Sequence, residues 1–285
     1  MKTLTYFPDY CSLNSKPVIE AFLESAKKHY KIVENDINAD VAVIWSCLWA
    51  GRMRGNEEVY DHFKNHNKPC LILEVGALQR NVTWKVALNH ITNDGIYGNK
   101  DNLDWDRPKK LGLPELQPPR RHYQKESILV CLQHDKSEQV RNIHGMEHWL
   151  RDTLAKIERK TDRPIVIRPH PRSVFDRQQF LNYEFETPVK IESTYDDFDI
   201  KFNYWAMINY NSAGPAVQSL IYGCPIIVDE TSLAYPCSNK YSNLNNPVID
   251  LYTRDKWYVE IAHTEYTVDE IRDGKWYERL KWAIE

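Results

Sequence analysis

Residues 205–236, WAMINYNSAGPAVQSLIYGCPIIVDETSLAYP, decide how the rest of the chain is read. The stretch opens with an apolar run, Ala206-Met207-Ile208, that fits a buried strand. Asn211 and Ser212 follow as an N-cap pair, and Pro215 falls in the first helical turn, where a missing N–H costs nothing. Ala216, Val217, Leu220 and Ile221 then recur at helical spacing. Gly223 ends the helix, Pro225 bars its continuation, and Ile226-Ile227-Val228 form the next strand. The product is a β-turn-α-turn-β unit with small residues, Ala213 and Gly214, where the helix begins. Such a start presents unpaired backbone N–H groups and the positive end of the helix dipole, which suits a phosphate.

Working back from this unit, residues 164–167 form an apolar strand that runs into Arg168-Pro169-His170-Pro171-Arg172. The two prolines stiffen the strand end, so His170 is held in one direction with little entropy left to lose. Arg168 and Arg172 flank it as partners for phosphate oxygens. Residues 128–132 read as the preceding strand, with Gln133-His134-Asp135 as its carboxyl-end loop. The helix after it carries Trp149, Leu150, Leu154 and Ile157 on one side. Further on, residues 247–251 read as a last strand, and residues 268–284 as a helix with Ile271, Trp276, Leu280, Trp282 and Ala283 apolar.

Residues 1–120 read as a separate α/β unit. Strands are expected at 3–7, 41–45 and 69–75, and helices from Pro17 and over 57–65; this alternation argues for a parallel sheet. Ligands of such sheets gather beyond the carboxyl ends of the strands. The loops at 46–55 and 74–80 lie there, and they carry Arg52, Arg54, Glu74 and Arg80. Residues 104–125, DWDRPKKLGLPELQPPRRHYQK, hold four prolines and a basic excess and read as a linker. Arg107, Lys109, Lys110, Arg120 and Arg121 are among its cations, either solvated or turned to an anionic partner.

Composition narrows the class. A chain of 285 residues has room for two domains, and 42% hydrophobic with 27% charged residues describes a globular protein. No apolar run reaches the length of a membrane span and no signal-peptide pattern is seen, so a cytoplasmic location is expected. Six cysteines are scattered without a C-x-x-C pair, which favours reduced thiols over disulfides or zinc. The net charge of −3 neither requires nor excludes a nucleic-acid partner.

Ser212, Gly214, Gly223 and Pro225, in the order S-x-G, helix, G-x-P, resemble the donor-binding segment of GT-B glycosyltransferases. Gln218 stands where many of those enzymes carry a glutamate that holds the donor ribose; it keeps hydrogen-bonding capacity but no charge. With the preceding His170-Pro171 the pattern resembles the capsule-type transferases, notably the β-Kdo transferases of bacterial capsule assembly. Three further fragments resemble that family in the same order: LEVGALQR at 73–80, NDGIYGNKD at 93–101 and ILVCLQHDKS at 128–137. In the second, Gly98 and Asn99 replace an expected Tyr and Asp. Together these fragments span residues 70–240, while the first 65 residues add only their α/β pattern.

The resemblance implies an α/β fold of two Rossmann-like domains, GT-B-like, with a C-terminal helix crossing back onto the first. Domains are then expected at 1–120 and 121–265, with the terminal helix at 266–285. It also implies a nucleotide-sugar donor held by Arg168, His170, Arg172, Ser212, Ala213, Gly214, Gln218 and Gln133. Glu74, at a strand's carboxyl end, is the candidate base or nucleophile, or else a structural carboxylate paired with Arg80; Asp135 is a second candidate. Arg52, Arg54, Arg80, Arg120 and Arg121 are the candidate acceptor-binding residues. Asp104 and Asp106 match a metal-binding D-x-D only within the linker, so neither metal nor cofactor is expected beyond the donor co-substrate. Two acceptors fit. One is a hydroxymethylated pyrimidine in phage double-stranded DNA, favoured by the compact chain, the cationic linker and the many aromatic residues. The other is a surface or capsular saccharide, favoured by the family resemblance. A non-catalytic nucleotide-sugar-binding protein or an epimerase is the remaining alternative.

Overall fold

The computed structural model describes residues 1–119, 126–186 and 204–285. They fall into two units, Met1–Leu113 together with Val259–Glu285, and Pro114–Tyr258.

In the first unit β1 (Thr3–Tyr6) leads into α1 (Lys16–Ala26), which has Pro17 in its first turn and buries Val18, Ile19, Phe22 and Ala26. Strands β2 (Lys31–Glu34) and β3 (Val41–Trp45) follow, then α2 (Asn56–Asn65) and β4 (Cys70–Val75). These four strands pair in parallel in the order β2-β1-β3-β4. Every residue of β3 is buried, as expected of a strand covered on both faces. Next come β5 (Trp84–Leu88) and a single helical turn, α3 (Arg107–Lys110).

The second unit contains β6 (Ile128–Cys131), α4 (Met146–Glu158), β7 (Ile165–Arg168), β8 (Glu184–Phe185), β9 (Ala206–Asn209), α5 (Ala213–Ile221) and β10 (Ile226–Ile227). The strand order is β10-β9-β6-β7-β8, and every pair is parallel. The chain thus starts in the middle, winds to one edge, returns, and winds to the other. The order reverses between β6 and β9, and the carboxyl ends of those two strands are where an open sheet of this kind receives a ligand. Leu150, Leu154 and Ile157 of α4 pack with Ile128, Val130, Ile167 and Ile208 in the core. Gly223 ends α5 as expected, for two reasons. Its φ is +75°, and a Cβ there would lie 2.3 Å from the carbonyl oxygen of Pro118.

Residues 247–251 do not form the expected strand. The side-chain amide of Asn239 takes the place of a neighbouring strand: its Nδ2 donates to the Val248 carbonyl at 2.8 Å and its Oδ1 accepts from the Val248 N–H at 2.9 Å. The chain then enters α6 (Leu251–Ala262), a helix whose mixed pattern gave no periodic signal.

After α6 come β11 (Glu265–Tyr266), α7 (Val268–Arg272) and α8 (Lys275–Ile284). β11 completes the first sheet, antiparallel to β5, which is itself antiparallel to β4. That sheet is therefore mixed rather than wholly parallel, in the order β11-β5-β4-β3-β1-β2. The terminal helices cover α1, where Trp276 stacks on Phe22 at 4.4 Å and its indole N–H donates to Ser25 Oγ at 2.9 Å.

Residues 104–113 also belong to this unit and are not a solvated linker. Arg107 is buried, and its guanidinium donates to both oxygens of Glu270 and to the carbonyls of Ala262 and Glu265. Lys110 pairs with Asp104 at 2.6 Å, and Asp104 also accepts the N–H of Asp106, so the D-x-D sequence here builds a turn. Arg120 and Arg121 lie outside the described residues.

Burial alone would push the Glu270 carboxyl up, but hydrogen bonds from Arg107 and Lys275 outweigh it and bring the group down from 4.5 to about 2. A depressed carboxyl stabilises the fold above its ordinary value and loses that contribution as pH falls through its folded value. Glu270→Gln should therefore be less stable than wild type at pH 7. The gap should narrow as pH falls from about 4.5 toward about 2, measurable as urea midpoints across that range.

Candidate functional site

The carboxyl ends of β6 and β9 are joined by side-chain amides. Gln133, just past β6 and 4% exposed, accepts the backbone N–H of Asn211 at 3.2 Å and of Ser212 at 3.1 Å through Oε1, and donates to Asn211 Oδ1 at 2.8 Å. Asn211 in turn donates to the Gln139 carbonyl and to Thr231 Oγ1, both at 3.0 Å, and Thr231 donates to Asp229. One buried amide pair thus ties together the loops after β6, β9 and β10. Asn209 adds a bond to the Ser212 carbonyl at 2.8 Å, while its own buried Oδ1 has no hydrogen-bond partner among the described residues.

This network determines how α5 begins. Ser212 occupies the N-cap position with extended backbone angles, but its hydroxyl caps nothing. Ala213 and Gly214 follow, both half-buried and without side chains that could screen the helix start. Gln218 lies one turn further along α5, also half-buried. The sequence reading took Asn211 and Ser212 as an N-cap pair. The structure makes Asn211 the hub of the loops and leaves the helix start uncapped by either side chain.

At the end of β7, residues 168–172 divide their roles. Arg168 is 3% exposed, and its guanidinium engages the carboxylate of Glu186, which also accepts from the Tyr204 hydroxyl. Arg168 is thereby committed inward. His170 is half-buried, and its Nδ1 accepts the backbone N–H of Arg172 at 3.2 Å, which leaves the ring proton on Nε2 in the neutral form. Its ring meets that of His134 edge-on at 5.3 Å, and burial pushes His134 below the usual histidine range. The Arg172 side chain is exposed.

His170 and Gln133 both line a cavity of about 260 Å³, with Leu132, Asp135, Met146 and Phe175 among its walls. Asp135 does structural work there: its Oδ1 accepts the N–H of Met146 at 3.0 Å and holds the start of α4.

In the first unit the candidate residues gather at the carboxyl edge of β3 and β4. Glu74 accepts from Ser46 Oγ at 2.7 Å and from the backbone N–H of Val75 at 2.8 Å. Ser46 has φ +65°, which costs roughly 1–2 kcal/mol for a residue with a side chain, and its Oγ also accepts the N–H of Leu48. On the other side, Glu74 stands directly opposite Lys85 of β5, and Lys85 directly opposite Glu265 of β11. Lys85 is 2% exposed and Glu265 fully buried, 3.9 Å apart. Burial pushes the Lys85 amine down, opposed by the charges of Glu265 and Glu74.

Glu265 also builds the loop that follows Glu74. It accepts the N–H groups of Ala77 at 2.7 Å and Leu78 at 3.2 Å and the hydroxyl of Thr83 at 2.7 Å. Gly76 is required because a Cβ would lie 2.3 Å from the Thr83 carbonyl oxygen and 2.4 Å from Glu265 Oε2. Arg80 is half-buried within this loop, while Arg52 and Arg54 are exposed in the 3-10 turn Gly51–Gly55 after β3. Ser46, Lys85 and Glu265 were missed by the sequence reading. Lys85 stands in a strand that carried no period-2 signal, and Glu265 lies nearly two hundred residues from the loop that it organises.

No protein-family profile and no curated protein sequence matches the chain. Among solved structures it is similar to the β-Kdo 2,7 transferase of KpsC from Thermosulfurimonas dismutans, at 15% identity and a TM-score of 0.52, over 99% of this chain and 100% of that one. It is also similar to the β-Kdo 2,4 transferase of the same KpsC, at 13% identity and a TM-score of 0.53, over 96% and 98%. The likeness is one of fold, and it agrees with two Rossmann-like α/β units.

Gln133→Ala would leave the N–H groups of Asn211 and Ser212 without their acceptor. Stability should fall by roughly 1–3 kcal/mol, read from chemical denaturation.

Proposed function

We propose that this chain is a glycosyltransferase that moves a sugar from a nucleotide-activated donor to a hydroxyl of a saccharide acceptor. The observation that carries the reading is the start of α5 at the reversal point of the second sheet. A neutral amide network fixes it there, and small residues leave its N–H groups uncovered. That arrangement suits the diphosphate or phosphate of a nucleotide sugar. Ala213 and Gly214 would offer backbone N–H groups, His170 its Nε2–H and Arg172 its guanidinium, while Ser212 and Gln218 border the same helix start. Arg168 would act through the loop that it braces. These groups balance phosphate charge without a metal ion, so transfer is expected to persist in a chelator.

Glu74 is the carboxylate proposed to act on the sugar or on the acceptor hydroxyl, because Ser46 holds one of its oxygens in a fixed direction. Arg52, Arg54 and Arg80 lie on loops at the same sheet edge and suit an acceptor bearing negative charge. The similar solved structures are transferases of a sugar, Kdo, which supports a saccharide chemistry. A hydroxymethylated base in DNA is the other acceptor to test. Two of the cations behind that alternative, Arg107 and Lys110, are taken up by Glu270 and Asp104.

Incubation with nucleotide-activated Kdo and with UDP-sugars, each offered to oligosaccharides and to hydroxymethylated duplex DNA, decides the reading by mass spectrometry. One added sugar on an oligosaccharide is the expected result. Addition to DNA would move the acceptor, and donor binding with no addition to either would make the chain a binding protein. In the same assay Glu74→Gln should lower turnover by at least about a hundredfold with donor KM nearly unchanged.

A further inference from the structure

Four residues from four separate stretches of chain form one polar row along the carboxyl edge of the first sheet: Ser46, Glu74, Lys85 and Glu265. Glu265, Lys85 and Glu74 are directly opposed across β11, β5 and β4, so their side chains stand on one face of the sheet. Opposed residues bring Cβ atoms to within about 4.5–5.5 Å of each other, close enough for a lysine to reach carboxylates on both sides. Glu265 is pinned by two backbone N–H groups and the Thr83 hydroxyl, and Ser46 closes the far end on Glu74.

A buried ammonium is costly, and this one stands in a row where an apolar residue would complete the sheet at less cost. Glu265 is its first partner, but at a loose 3.9 Å and with its hydrogen bonds already made by three other donors, so that carboxylate does not use the whole reach of the ammonium. The second carboxylate facing the ammonium in the row is Glu74, directly opposite on β4, and its charge opposes the cost of burying the lysine alongside that of Glu265.

We propose that Lys85 is a positioning residue for Glu74: a buried ammonium, anchored on Glu265, that holds the Glu74 carboxylate against Ser46 at the sheet edge. The role given to Glu74 rests on the glycosyltransferase reading above; the geometry of the row does not. Through Glu265 the same lysine connects Glu74 to the loop that carries Arg80, so the carboxylate and that loop keep a fixed relation. Without the ammonium, Glu74 would turn outward to water and abandon Ser46.

The test uses the double variant Lys85→Met with Glu265→Gln, which removes both members of the buried pair and leaves no lone charge behind. The single variant Lys85→Met would strand Glu265 as a lone buried charge and is not used. Crystal structures of the double variant and of wild type are compared at Glu74, and turnover is measured beside them. The expected result is a Glu74 carboxylate that has left Ser46, with kcat down by at least about a hundredfold and donor KM within about threefold. A Glu74–Ser46 bond kept at the wild-type distance overturns the proposal whatever turnover does. So does turnover within about threefold of wild type. If wild type transfers no sugar at all, the function reading fails while the crystallographic comparison still decides the role of Lys85.

Discussion

A carboxylate with no solvent exposure must find its hydrogen bonds inside the protein, and in the first unit Glu265 imposes that requirement on everything near it. Two of its donors are consecutive backbone N–H groups, Ala77 and Leu78, which can point at one acceptor only if the chain after β4 turns sharply. The turn brings Gly76 so close to Thr83 and Glu265 that no side chain fits there. Glu265 itself stays put because β11 pairs with β5 and because Arg107 holds the Glu265 carbonyl together with Glu270. The edge strand, the loop bearing Arg80 and the lysine opposite Glu74 are thus consequences of burying one charge.

The second unit solves a similar problem with neutral groups. Gln133 and Asn211 each offer both donors and an acceptor, so a single pair of amides can bind three loops without the desolvation cost of an ion pair. Neutrality matters at this position. A carboxylate at Gln133 would set a fixed negative charge against the N–H groups that begin α5 and occupy the field that an anionic ligand would use. Arg168 carries charge close by, but Glu186 absorbs it, which stiffens the strand end while His170 and Arg172 remain at the rim. The two units therefore use charge differently: one buries it to hold a carboxylate, the other neutralises it so that a helix terminus keeps its own potential.

Sequence alone determined those features whose causes are local. The strand-helix-strand unit around Ala213–Ile221 was legible because apolar spacing, Pro215 and Gly223 act within a turn or two of themselves. The β3, β4, β6 and β7 strands were legible for the same reason, being largely apolar runs, β1 was legible as a strand-like start, and so was the proline-stiffened loop at His170. Tertiary structure alone decided whatever depends on a partner distant in the chain. Arg107 read as a linker cation because Glu270, which buries it, comes 163 residues later. Residues 247–251 read as a strand because nothing in them reveals that Asn239 will occupy their backbone groups. The antiparallel turn of the first sheet, and with it the row from Ser46 to Glu265, arises only when β5 and β11 add to β4. A two-residue strand has too little pattern to announce itself, and a cross-strand neighbour leaves no mark on local spacing.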